Sequence, residues 1–347
     1  TVTLVKNGGL ADLRSVTPEA RLPLKITARD DYGLGLSTLG EDHAAVIADA
    51  AEEMKLSAEQ IRREYRLPDL VLRVQSGEEL IFAQPMSEMV KDGALERVEV
   101  ADDVRFEGRV KAGQKIRLIA EARDGRTTDF GGPGVGLSPK LELAVISRAE
   151  MEDELVRRQK LAALRFADAV QIQARAYAKT AAASASSGLA EGRDDEGVRT
   201  ALSVSARQQR AVSEHCAQAA ETYGAIREEM TCNGIGGVAE HTAMDMGIVR
   251  PLQGLAIRSE AVVEELNDCV SVLDRGDEER IKALPPRLAE AARQQRSILE
   301  EMKSVRDKME KLRSLQAMAD RVQRMIGWLE EILREIEKKR TEEIFGD

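Results

Sequence analysis

The sequence predicts an α+β multidomain protein: an N-terminal antiparallel β-sandwich of immunoglobulin-like type, followed by an elongated antiparallel helical bundle or coiled coil. Two observations support this prediction. Near residue 147 the spacing of apolar residues changes from every second residue to steps of three and four. In addition, only 3% of the residues are aromatic while 32% are charged, which is typical of long helices packed along narrow seams. We therefore expect a β-sandwich in residues 1–147 and a long-helix bundle in residues 148–347.

The N-terminal part contains short runs in which every second residue is apolar. The clearest runs cover residues 22–28, 70–74, 116–122 and 141–145. Each run predicts a strand with one face on a core, and glycine-containing turns separate the runs. Residues 42–65 instead predict one or two helical turns inserted between strands, so the strand order around this insertion is left open.

From residue 148 onward, apolar residues recur in alternating steps of four and three, which is the spacing of a heptad seam. Glycine- and serine-rich stretches and the pair Pro285 and Pro286 separate the helical segments. Pro251 lies inside the third pattern, so that helix either kinks there or begins there. The predicted helices cover about 149–184, 195–231, 238–274 and 286–341.

The last predicted helix has a seam that continues almost to its end. Two consecutive steps of three around Ala319 form a stammer, which locally overwinds a coiled coil. Such a seam predicts self-association through helices or binding of a protein partner. The seam consists of Leu288, Ile298, Met302, Val305, Met309, Leu312, Val322, Ile326, Leu329, Leu333 and Ile336.

Composition argues against several classes of function. The net charge is −10 and no block of lysine or arginine is present, so nucleic acid is not expected as a main partner. No apolar run reaches the roughly 18 residues of a membrane span. The three cysteines have no CxxC spacing, so neither a disulfide framework nor a zinc site is expected, and we assign no cofactor. The chain begins at Thr1 and ends at Asp347, which suggests a fragment of a longer protein.

Six aspartates at predicted strand ends are the only metal candidates. Calcium binds six to eight oxygen ligands, and carboxylates gathered at the end of a β-sandwich can provide them. Aspartates at turns more commonly accept hydrogen bonds from nearby backbone amides, and we favour that interpretation. The candidates are Asp30, Asp31, Asp102, Asp103, Asp124 and Asp129.

Residues suited to nucleophilic catalysis are few. The candidates are His215 beside Cys216, His241 four residues before Asp245, and Cys232. Cys216 and Cys269 fall on the predicted seams, where a thiol acts as a small buried hydrophobic group. Cys232 borders the glycine-rich stretch 233–237, so we expect it to be the most exposed and reactive thiol. No catalytic residue is assigned on this basis.

Three segments of the N-terminal part have distinctive sequences: LPLKITARDDYGL at 22–34, AGQKIRLIAEARD at 112–124 and GGPGVGLS at 131–138. Together with residues 250–252 and 308–323, they resemble a family of large, uncharacterised, membrane-anchored bacterial proteins, best known from planctomycetes, that carry a domain of unknown function. In that family a β-domain is followed by long helices. The resemblance implies a structural role and an extracytoplasmic or cell-envelope location. The insertion at 42–65 departs from the family pattern.

These observations predict a non-enzymatic structural, scaffolding or interaction module of a larger cell-envelope protein. The first alternative is a regulatory binding module of an envelope complex, which could be assisted by calcium. The second alternative is an enzyme, to which the scarcity of histidines and the missing nucleophile motif give little support.

Overall fold

The computed structural model describes residues 2–6, 10–29, 36–37, 47–48, 50–52, 55–85, 90–91, 97–123, 134–192 and 196–345. The chain divides into two compact units. The first, called the β unit here, comprises Thr1–Leu155 and Ala225–Gly237. The second, called the helical unit, comprises Val156–Gly224 and Val238–Asp347. The prediction of a mixed chain with antiparallel sheets and long helices is confirmed.

The strands of the β unit form three sheets among the described residues. The first sheet has the strand order β1-β3-β9, and the second has the order β2-β12-β10-β6-β7, with β11 also paired to β10. The third sheet, β4-β5-β8, is made of shorter strands, so the first two are called the larger sheets. The pairs are antiparallel except that of β2 with β12, which is parallel. The strands are β1 Val2–Lys6, β2 Ser15–Val16, β3 Arg21–Arg29, β4 Leu36–Ser37, β5 Tyr65–Pro68, β6 Leu70–Ser76, β7 Glu79–Pro85, β8 Val90–Lys91, β9 Arg97–Arg105, β10 Lys115–Arg123, β11 Val135–Leu137 and β12 Leu141–Val145.

The two larger sheets share one hydrophobic core. Alternate residues of β3, such as Leu22 and Leu24, are buried, and so are Ile116 and Leu118 of β10. All four belong to the same core cluster. In the part of the chain that the structure describes, these sheets do not form a closed sandwich, so the immunoglobulin-like prediction is not confirmed.

The predicted insertion at 42–65 contains helical residues at 47–48 and 50–52 and a helix, α1, at Ala58–Glu64. Ser57 and Gln60 form a capping box, because each side chain accepts a hydrogen bond from the other residue's backbone N–H, at 3.2 and 3.0 Å. Ile61 packs with Ile47 and Ala50 in a small core of their own.

Long helices make up most of the remaining chain. They are α2 Arg148–Ser184, α3 Ser187–Ala190, α4 Glu196–Cys232, α5 Val238–Met244, α6 Arg250–Arg275, α7 Glu278–Lys282 and α8 Leu284–Phe345. A π-helical turn at Asp245–Val249 joins α5 to α6 without a break in helical backbone, and Pro251 is the second residue of α6. The first turn of α2 has a capping box between Ser147 and Glu150.

The heptad positions of the helical unit are buried over most of its length. Leu202 and Val212 of α4, Leu252 of α6 and Leu288 of α8 are fully buried. Helices α6 and α8 pack directly against each other. These positions form the core because residues three and four apart share one helix face. Supercoiling of these helices as a coiled coil is not confirmed.

Candidate functional site

The most exposed apolar surface described in the helical unit lies on the C-terminal half of α8. Seven large apolar side chains there are more than half exposed, from 51% for Ile326 to 66% for Trp328. Their spacing places them along one side of the helix. We call this surface the C-terminal apolar face, and it consists of Met325, Ile326, Trp328, Leu329, Ile332, Leu333 and Ile336.

The same predicted seam is buried in the first half of α8. Leu288, Ile298, Met302, Val305 and Met309 are at most 2% exposed, and Leu312 is 9% exposed. Ile326, Leu329, Leu333 and Ile336 continue the seam but are exposed, and the side chain of Val322 lies outside the described residues. The seam therefore packs within the chain up to Leu312 and offers an uncovered apolar surface from Met325 onward.

Charged side chains lie beside the C-terminal apolar face. Glu330, Glu331, Arg334, Glu335 and Glu337 are all exposed. An apolar side bordered by exposed charges is suited to packing against another apolar surface. The indole of Trp328 is largely exposed, because no described part of the chain covers this side of α8.

Two of the six calcium candidates can be located. Asp102 and Asp103 lie on β9, while Asp30, Asp31, Asp124 and Asp129 fall outside the described residues. Asp103 forms an ion pair with Arg21 at 2.6 Å, and Asp102 accepts a hydrogen bond from the Asp103 N–H at 2.7 Å. Across the described residues, no group of three or more histidine, cysteine or acidic side chains is arranged to hold a metal. Calcium binding stays the alternative that the sequence favoured less.

The three cysteines are buried free thiols. Cys232 packs into the core of the β unit and is 5% exposed, so the prediction that this thiol is exposed is wrong, although Cys216 and Cys269 are more deeply buried still. Burial raises the pKa of each thiol to about 12, because a buried thiolate loses its hydration. The thiols are therefore protonated and unreactive at neutral pH.

The two histidine candidates lie on different helices, His215 on α4 and His241 on α5. His215 is half-buried beside a groove of about 80 Å³ that is also lined by Arg158, Phe166 and Thr222. Asp245 forms an ion pair with Arg250 at 2.8 Å, within the turn that leads into α6.

A buried polar layer crosses the core of the helical unit. Gln295 of α8 donates hydrogen bonds to Gln209 Oε1 at 3.0 Å and to Ser205 Oγ at 3.2 Å, and both acceptors lie on α4. Ser205 is 2.7 Å from the Thr180 hydroxyl of α2, and Gln173 of α2 donates to the Gln295 carbonyl at 2.8 Å. All five side chains are fully buried.

The heptad spacing of the sequence places Ser205, Gln209 and Gln295 on the seams but does not show that they meet. Polar residues at heptad core positions were the available signal, because such residues set the register of packed helices. Gln173 and Thr180 were missed, because the stripe of small residues that marks the buried side of α2 in the sequence is Ala162, Ala169 and Ala176. The polar layer aligns α2, α4 and α8 with one another.

Among the described residues, no helix is long and apolar enough to cross a membrane. Comparisons with protein-family models, with curated proteins and with solved structures give no match.

Proposed function

We propose that this chain is a non-enzymatic structural or interaction module that associates with a second copy of itself through the C-terminal apolar face. The observation that carries the proposal is the uncovered run of seven large apolar side chains on α8. An amphipathic helix gains its stability mainly by burying its apolar side, so such a run implies a partner.

The area of the C-terminal apolar face is sufficient for a specific dimer. If half of each large side chain is exposed, seven of them offer about 600 Å² of apolar surface. Two copies would then bury about 1,200 Å², which is the lower end of the range for specific interfaces. The dimer is expected to be of moderate affinity for this reason.

The heptad phase favours a parallel arrangement of the two helices. With Ile326 and Leu333 at position a, Leu329 and Ile336 fall at position d, and Glu330 lies beside the seam at position e. In a parallel pair, position e faces position g of the other helix, so Glu330 would meet Met325 of the second copy. An antiparallel pair would place the two copies of Glu330 close together, and like charges would repel.

An anionic membrane surface is a less suitable occupant. Helices that lie on such membranes have basic polar sides, whereas Glu330, Glu331, Glu335 and Glu337 accompany this face.

In the proposed role, the helices act as a coiled-coil-like spacer and the β unit as a sandwich-like docking domain. The buried heptad positions and the core shared by two sheets support this role. An envelope location within a larger parent protein rests on the sequence resemblance alone.

Sedimentation equilibrium of the full chain tests the proposal. We expect a concentration-dependent dimer for the unaltered chain and a monomer for Leu329→Gln with Leu333→Gln, because both side chains lie at the centre of the face. The matched control is Glu331→Gln with Arg334→Gln on the polar side of the same helix, which should leave dimerisation intact. An unaltered chain that is monomeric at about 100 μM, a concentration that would populate even a weak dimer, would overturn the proposal.

A further inference from the structure

A charged groove in the β unit carries a second, independent inference. The groove has a volume of about 370 Å³ and is formed where the end of β7 lies near the end of β9 and the start of β3. We call it the arginine groove, and its lining residues are Arg21, Gln84, Pro85, Asp102, Asp103, Arg105 and Arg109. Its volume falls within the range of small-ligand sites.

Two of its arginines are directly opposed on neighbouring strands. Arg21 is the cross-strand partner of Arg105, while the adjacent residues Leu22 and Val104 are buried and opposite each other. Because side chains alternate along a strand, both guanidinium groups extend from the outer side of this sheet. Like charges in directly opposed positions destabilise a sheet, so this pair calls for a compensating anion.

The protein compensates only one member of this pair. Asp103 binds Arg21 at 2.6 Å. Asp102 is occupied as well, since it accepts the Asp103 N–H and lies 3.5 Å from the Gln84 amide nitrogen. Arg105 has no carboxylate partner in the part of the chain described by the structure, so its guanidinium can still pair with an anion.

Arg109 is held in place by aromatic contacts. Its guanidinium carbon lies 4.6 Å from the centre of the Phe82 ring, and Phe82 packs edge-on against the buried Phe106. A turn that closes through the hydrogen bond from the Arg109 N–H to the Phe106 carbonyl, at 2.8 Å, places Gly108 in the left-handed region. Stacking uses the flat side of the guanidinium and leaves its N–H groups free to bind.

We infer that the arginine groove binds an oxyanion, a carboxylate or a phosphate, between Arg105 and Arg109. Arginine binds both groups well because its parallel N–H bonds match the spacing of their oxygens. Pre-positioning of Arg109 by Phe82 reduces the entropy lost when the anion binds. This inference does not depend on the C-terminal apolar face, which belongs to the helical unit.

Isothermal titration calorimetry of the full chain tests the inference, with inorganic phosphate in one arm and succinate in the other. Ionic strength is held constant with sodium chloride, so that general screening does not change between points. We expect one saturable site for at least one anion. The anion that binds more tightly identifies the ligand chemistry, and equal affinities would show that the site accepts both.

Three variants in the groove and one outside it provide the comparison. Arg105→Gln and Arg109→Gln should each weaken binding about tenfold, because each removes one charge-assisted pair. Arg109→Lys keeps the charge but loses the paired N–H geometry and should also bind more weakly. The control is Arg117→Gln on β10, an arginine paired with Glu142 at 2.8 Å on the same unit.

The three arginines replaced in these four variants are substantially exposed, so circular dichroism should show folded variants. No saturable binding of either anion to the unaltered chain would overturn the inference. Affinities of the Arg105→Gln and Arg109→Gln variants equal to that of the Arg117→Gln variant would do so too.

Discussion

Replacement of Gln295 by leucine probes the buried polar layer most directly. The substitution removes the two hydrogen bonds that Gln295 Nε2 donates to Ser205 and Gln209. It also leaves the amide of Gln209 buried without a partner, since Gln209 Nε2 already has none among the described residues. Each lost hydrogen bond costs about 1 kcal/mol and an unpaired buried amide about 1–3 kcal/mol, while the leucine recovers about 2 kcal/mol by burial.

The expected net loss in the free energy of unfolding is therefore about 2 kcal/mol. Urea unfolding followed by circular dichroism at 222 nm should show a midpoint lower by about 1 M, because the free energy falls by about 1–3 kcal/mol for each molar of urea. The matched control is Gln294→Leu, which makes the same chemical change at the exposed neighbouring position and should shift stability by at most about 0.5 kcal/mol.

A double replacement separates hydrogen bonding from general disruption of the core. Gln209→Leu combined with Gln295→Leu removes both amides, including the unpaired Gln209 Nε2 and Gln295 Oε1 atoms. Replacing both partners by apolar groups is often neutral or stabilising, so the double variant should recover to the unaltered level or above it. The reasoning is refuted if Gln295→Leu leaves the midpoint unchanged, or if the double variant is less stable than either single variant.

Three further predictions concern individual sites. Hydrogen bonds from the Ser147 N–H and hydroxyl lower the pKa of Glu150 from 4.5. The ionised carboxylate therefore stabilises the fold above pH 4.5, and this stabilisation is lost as the pH falls through the folded-state pKa. The midpoint of urea unfolding should depend less on pH in this range for Glu150→Gln than for the unaltered chain. Gly192 has φ +79°, and a Cβ at this position would lie 2.5 Å from Glu278 Cγ. Gly192→Ala should therefore lower the free energy of unfolding by more than about 1 kcal/mol. The control is Gly224→Ala, which should show no such loss because a Cβ there would meet no atom within 4 Å. Ellman's reagent at pH 8 should label no thiol in the folded chain and all three in urea, and fast labelling of the folded chain would contradict the described burial.

Local periodicity accounts for the parts of the fold that were predicted well. The steps of three and four identified the long helices and the residues that they bury, such as Leu202 and Leu252, because a helix repeats its faces within one or two turns. The alternation in β3 and β10 identified inward residues for the same local reason. These features depend on neighbours in sequence, so the sequence alone determined them.

Contacts between distant residues decided the remaining features. The parallel pairing of β2 with β12 joins residues about 130 positions apart, and Thr17 donates its N–H to the Asn233 side chain at 2.7 Å across 216 positions. The burial of Cys232 follows from the same long-range packing. No local pattern encodes such contacts, because their free energy depends on the whole arrangement of elements.

The candidate surfaces show the same division. The seam of α8 was read from its spacing, and that spacing established an apolar side along the helix. Whether other helices of the chain cover that side was decided by tertiary packing, which buries it as far as Leu312 and leaves it exposed from Met325 to Ile336. The arginine groove had no signal in the sequence, since its residues come from three strands and a turn that only the folded β unit brings together. The sequence determined which sides of each element are apolar, and the tertiary structure determined which of those sides find a partner within the chain, because burial depends on what lies opposite.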